Sequence, residues 1–245
     1  MDSLPPSLSI DAIPNRILAF ARPRARDFLW PRLDTRKIVA GELIHEAGAP
    51  FTHVIFPHDG VISLMSETID ERSVEEASIG REGFVGFPLI MGGSNAIGRT
   101  VVQISGYASW LSIADLNEGF ERFECLRKIM LSYSQSLIVQ LMHSVACSSL
   151  HGAEQRVARW LLHARDRMSG DHFHLTQEAL ADTLGLRRAT VSEACSALSR
   201  ANMIHYSRGS LEIVDRAALQ DHACSCYRAV HDASFLARSG DAAIF

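Results

Sequence analysis

The chain has 245 residues, 47% of them hydrophobic, and a net charge of −4. That is enough apolar material for two folded units, and it excludes a basic coat that holds nucleic acid by bulk charge alone. An acidic residue stands where a signal peptide needs positive charge, and no apolar run approaches the roughly 18 residues of a membrane span, so a soluble cytoplasmic protein without a membrane partner is expected. Five cysteines in no framework spacing fit a reducing compartment rather than a disulfide scaffold.

Residues 1–34 read as an N-terminal arm with a short helix near 15–21. From 35 to 115 short strand-type runs follow one another at 37–40, 43–46, 53–56, 61–66, 74–79, 100–104 and 108–113, separated by glycines such as Gly41, Gly60, Gly80, Gly86 and Gly106. Many short strands with turn signals predict an antiparallel barrel or jelly roll, a shape that often holds a small ligand. Residues 116–149 are helical, with a short piece at 116–120 and a long one at about 125–148. Leu126, Met130, Tyr133, Leu137, Leu141 and Val145 fall on one side of the long helix, and Ile129, Leu131, Ile138 and Met142 spread round it. One apolar face can pack on the roll, and the excess predicts pairing with the same helix of a second chain, making this a dimerisation helix in a homodimer.

The most informative stretch lies in the last unit, 150–236, ahead of a tail at 237–245. A helix within 150–168 carries Val157, Trp160, Leu161 and Ala164 as its core face. Thr176 is placed to cap a helix whose apolar positions are Ala179, Leu180, Ala181 and Leu184; Gly185 then supplies a turn. In the next helix Val191, Ala194, Cys195 and Leu198 recur at i, i+3, i+4 and i+7, leaving an arginine-led polar face. This is a helix-turn-helix pattern. Two strands, 204–206 and 211–214, joined through Ser207-Arg208-Gly209-Ser210 make a wing, and Asp215 caps a final helix at 216–227. Only Lys37 and Lys128 are lysines, so affinity for duplex DNA has to come from placed arginines. On the second helix Arg188, Ala189, Ser192 and Glu193 are candidates for base edges; Thr176, Gln177, Arg187, Ser196 and Arg208 are candidates for phosphates.

A glycine-punctuated roll, a long helix and a winged helix-turn-helix in this order resemble the CRP/FNR superfamily of bacterial transcription regulators, most specifically over LTQEALADTLGLRRATVSEACSALSRANMI. The resemblance implies an α+β fold: a cyclic-nucleotide-binding-like jelly roll, a dimerisation helix and a C-terminal winged helix-turn-helix. It also implies a homodimer on a pseudo-palindromic operator, contact with RNA polymerase, and a small-molecule effector in the roll. In cyclic-nucleotide-binding members a Gly-Glu pair takes the ribose and an Arg-Ser/Thr pair the phosphate. Here Gly86 is followed by Phe87 while Arg99-Thr100 is kept, and Leu141 and Met142 stand where polar residues would meet the base. The loss of the carboxylate leaves ribose hydroxyls unpaired on burial, so an effector other than cAMP is expected. Arg99 is left either to bind another anion or to pair with a local carboxylate such as Glu82. On the DNA side Ala189 and Glu193 replace the family's usual Glu and Arg, which implies a different operator.

No cofactor, metal site or catalytic set is expected. Family members with iron–sulfur clusters use an N-terminal cysteine group, and this chain has none before Cys125. Cys224 and Cys226, two apart on one helix, are expected on nearly opposite sides and unable to share a metal. Cys147 and Cys195 read as buried thiols, with a redox role as the alternative. His45, His53 and His58 carry one competing reading, a cupin-like metal-dependent enzyme; a ligand-binding regulatory subunit is another, which Phe87 and the helix-turn-helix together argue against.

Overall fold

The computed structural model describes residues 13–67 and 73–236; the expected tail lies outside the described residues. Two short helices, α1 (Arg16–Phe20) and α2 (Pro23–Leu29), and a 3-10 turn (Trp30–Arg32) precede the sheet. The roll contains β1 (Asp34–Ile38), β2 (Leu43–His45), β3 (His53–Glu67), β4 (Ser73–Ile79), α3 (Phe87–Ile90) and β5 (Arg99–Ser112). Its strands run β1-β5-β3-β4, all antiparallel, and β2 pairs with the start of β5. The Asn15 side chain accepts from Leu18 N to cap α1, and its Nδ2 donates to Pro57 O and Gly83 O, both at 2.8 Å. Residues 22–29, which carry no pattern in the sequence, thus form a helix whose Ala25, Phe28 and Leu29 complete the roll's core.

The sequence divides both long strands at glycines, yet the structure keeps them continuous. Gly60 (φ 94°) and Gly106 lie face to face across the β3–β5 ladder, at bulges where the register shifts. A Cβ on Gly106 would strike the Asp59 carbonyl, and one on Gly60 would come within 2.7 Å of Ile104 O. These glycines permit close backbone approach rather than a chain reversal.

Helices α4 (Ile113–Arg122, capped by Ser112) and α5 (Glu124–Leu150) follow. Leu126, Met130, Tyr133 and Leu137 bury the first half of α5 against the roll; Gly83 makes the space that the Tyr133 ring fills. Val145, expected on this buried side, is instead 69% exposed. At roughly 100° per residue, the four-residue steps from Leu137 to Leu141 to Val145 each overshoot a full turn by about 40°, which carries Val145 onto the outer face.

The C-terminal unit comprises α6 (Ala153–Arg167), β6 (His172–His174), α7 (Gln177–Leu184), α8 (Arg188–Arg200), β7 (Ile204–Ser207), β8 (Ser210–Ile213), α9 (Arg216–His222) and α10 (Cys226–Leu236). Its core includes Val61 and Ile104 from the roll, so the two units share an apolar boundary. Buried Arg167 fastens that boundary. Its Nε donates to Glu82 at 2.8 Å, Nη1 to Ser78 Oγ at 2.7 Å and Nη2 to Ser78 O at 2.8 Å, over a space left by Gly80. Glu82 is therefore Arg167's partner and not Arg99's. The expected single helix at 216–227 is two helices. Ala223 has extended backbone (ψ 153°), which ends α9 and lets both Cys224 and Cys226 turn inward.

Candidate nucleic-acid interface

Thr176 caps α7 as its spacing requires, its side chain accepting from Ala179 N at 3.1 Å. Gly185 ends the helix at φ 62°, and Leu186 N reaches back to Ala181 O at 2.9 Å, closing the left-handed C-terminal turn that glycine favours. Three residues on, α8 begins. Val191, Ala194, Cys195 and Leu198 are buried against α6 and the wing, which fixes the rotation of α8 and turns its other face outward. On that face Arg187, Arg188, Ala189, Glu193 and Ser196 are exposed or half-buried, and Ser192 is half-buried. Arg188 stands 3.8 Å from Glu178 on α7, an exposed pair that the solvent leaves weak. Arg187 and Arg208 make no ion pair among the described residues. The Glu178 partner has a simple signal in sequence: an acid in the first turn of α7 opposite the first turn of α8.

The wing turns through Arg208 (φ 50°) and Gly209 (φ 83°), two successive positive φ values as in a type I′ hairpin. Such a backbone is costly for arginine, and it holds Arg208 at the exposed tip. Tyr206 Oη donates to Leu175 O at 2.8 Å, and β6, unmarked in the sequence, pairs with β8. Wing and helix pair are thereby one rigid block. Thr176 and Gln177 lie at its edge, exposed and half-buried.

Residues 155–222 match the Crp-like helix-turn-helix domain. The described residues share their fold with solved CRP/FNR-family regulators. Among solved structures, FixK2 from Bradyrhizobium japonicum superposes with a TM-score of 0.67 at 16% identity, covering 79% of this chain and 98% of FixK2. The c-di-GMP-responsive global regulator CLP of Xanthomonas campestris gives 0.59 at 14% identity, covering 78% and 99%. A CRP/FNR-family transcriptional regulator of Thermus thermophilus gives 0.58 at 16% identity, covering 78% and 98%. No curated protein matches the sequence.

The pocket expected around Gly86 and Phe87 is filled by the protein itself. Around Gly86 and Phe87, a space of only about 10 Å³ remains between Phe51, Leu64, Ile79, Val85, Ile97 and Thr100, hardly room for one water molecule. Gly86 (φ 109°) caps α3 and tips Phe87 into that space, where the ring is 8% exposed. Arg99 points the other way, with Nε 3.3 Å from Glu46 and Nη1 on Glu67. Leu141 lines a separate cleft of about 390 Å³ between β4 and the C-terminal unit, and Met142 faces solvent. The six residues expected to share one pocket therefore divide among four places.

The roll histidines do not come together. His45 stacks edge-on to Phe51, His53 bonds Thr52, and His58 Nε2 lies 2.6 Å from Ser109 Oγ; burial pushes the His58 pKa down to about 4. The expectation that Cys224 and Cys226 point apart is overturned. They flank the α9–α10 break, and both are buried beside Cys147.

Proposed function

We propose that the protein is a homodimeric, DNA-binding transcription regulator. The observation that carries this reading is the Crp-like domain with the outward face of α8 left open and led by exposed Arg187 and Arg188. Arg188 at the start of α8 is placed to fork onto a guanine, Ala189 to meet a thymine methyl and Glu193 to accept from a cytosine amino group. Thr176, Gln177, Arg187, Ser196 and Arg208 surround these positions as phosphate anchors and set register rather than sequence. The dimer rests on a seam along α5. Leu131, Ile138, Met142 and Val145 are spaced 7, 4 and 3 residues apart and are 42–69% exposed, the a/d recurrence that a second α5 covers. A twofold pair of α8 helices then reads an inverted repeat, and a regulator so bound has RNA polymerase as its neighbour at a promoter.

The roll is proposed to answer to something other than a cyclic nucleotide. Phe87 occupies the space where a ribose would go, and Arg99 is neutralised by two carboxylates.

Selection from randomised duplex DNA tests the base assignment. The wild-type protein should enrich a motif with a strongly preferred guanine in each half-site. Arg188→Ala should flatten that one position by about 1–3 kcal/mol, roughly 5- to 150-fold, and leave the others. Retention of the guanine preference in the variant would refute Arg188 as its reader.

A further inference from the structure

Four metal-binding side chains meet where the dimerisation helix ends. Cys147 and His151 are one helical turn apart at the C-terminus of α5; Cys224 and Cys226 sit at the break that separates α9 from α10. Their donor atoms all lie within 4.8 Å of one another. Cys147 Sγ is 3.5 Å from Cys224 Sγ, and Cys226 Sγ is 3.7 Å from His151 Nδ1. The three thiols are buried and His151 is half-buried.

A tetrahedral zinc ion with Zn–S near 2.3 Å and Zn–N near 2.1 Å sets its ligands about 3.5–3.8 Å apart; the Cys147–Cys224 and Cys226–His151 pairs already stand at that separation, and the other pairs lie within 4.8 Å. An iron–sulfur cube, with its body between the thiolates, spreads them further. Buried free thiols serving only as small apolar side chains would not require a histidine nitrogen aimed at them. Nor would they need Arg159. This buried residue has an Nε with no hydrogen-bond partner. Three thiolates and a neutral imidazole around a divalent ion carry one net negative charge, which Arg159 offsets.

We propose that Cys147, His151, Cys224 and Cys226 form a binding site for a single thiophilic divalent ion, zinc in the first instance. The ion ties α5 to the α9–α10 joint, so it fixes how the DNA-binding unit hangs from the dimerisation helix. On binding, the thiols release their protons to solvent and the ion exchanges water for sulfur and nitrogen; nothing is oxidised or reduced.

The test is cobalt titration of the full-length protein, stripped with chelator and kept reduced. A thiolate-to-cobalt charge-transfer band with the intense visible bands of tetrahedral cobalt should grow to saturation at one ion per chain, and zinc should abolish it. Cys147→Ser and Cys224→Ser should weaken cobalt binding by more than the roughly 10- to 100-fold that changes outside the ligand shell cost. Cys125→Ser should leave it unchanged. Hydrogen exchange in α10 should slow when zinc is added to the wild-type protein, a readout that needs no variant to fold. Absence of the tetrahedral cobalt spectrum, unchanged binding in Cys147→Ser, acid-labile sulfide with iron in the purified protein, or a Cys147–Cys224 disulfide that resists reductant would each overturn the proposal.

Discussion

The roll pocket and the recognition face treat their arginines in opposite ways. In the roll, Arg99 is held by Glu46 and Glu67 and the neighbouring space is packed with Phe51, Leu64 and Phe87, so the pocket is closed from within the chain. At the start of α8, Arg187 makes no ion pair among the described residues and Arg188 has only a loose, exposed contact with Glu178. A surface that reads a ligand keeps its polar groups unsatisfied until the ligand arrives, whereas a surface that has lost one closes over itself. On the function proposed above, the fold keeps one of its two sites open and fills the other.

The largest break in that contrast comes from the joint between the regions. Arg167→Ala should strip buried Glu82 and Ser78 of their partner and cost about 3–5 kcal/mol, read as a fall in urea midpoint. A loss below about 1 kcal/mol would mean that the two units do not depend on each other as the buried ion pair implies.

Next comes acid. His58 has its pKa lowered to about 4 by burial against an ordinary 6.5, so its neutral form is what the fold holds. Its contribution is complete above pH 6.5 and is lost as pH falls from 6.5 toward 4, about 3 kcal/mol in all. His58→Gln should flatten stability against pH across that window. His163, buried and also held neutral, leaves a residual slope of the same sign. An unchanged slope in the variant would show that His58 charges freely in the folded state.

The smallest expected signals sharpen the contrast directly. Calorimetry with cAMP should give no binding heat, because the ribose position is occupied by Phe87; a micromolar affinity would show that the pocket opens. Arg208→Ala should weaken DNA binding modestly and equally across sequences, and reduce the salt slope by about one ion. A change confined to one base would make Arg208 a reader and not an anchor.

Local chemistry was legible in the sequence where one residue type answers one geometric need. Thr176 as a cap, Gly185 at a left-handed turn and the Val191–Ala194–Cys195–Leu198 stripe all stand where the pattern puts them. The β-roll followed from short apolar runs, but the part played by Gly60 and Gly106 did not. A glycine for close strand approach and a glycine for a turn look alike until the partner strand is known. The cysteine cluster was hidden for a related reason. No glycine or proline marks the break at Ala223, since inward packing of Cys224, Cys226 and Tyr227 imposes it, and a tertiary cause leaves no periodic trace. The roll's pocket was only half legible: Phe87 announced the loss of a carboxylate, but which acids would capture Arg99 depended on β2 and β3 meeting the start of β5.

The central claim is that two α8 helices, carried by paired α5 helices, occupy neighbouring turns of one duplex. Footprinting of the full-length protein on a duplex selected from a random pool tests it most directly. The account predicts two protected half-sites in inverted orientation, about 34 Å apart centre to centre, both lost together in Ile138→Glu/Met142→Glu. A single asymmetric footprint, or one that survives disruption of the α5 seam, would contradict it.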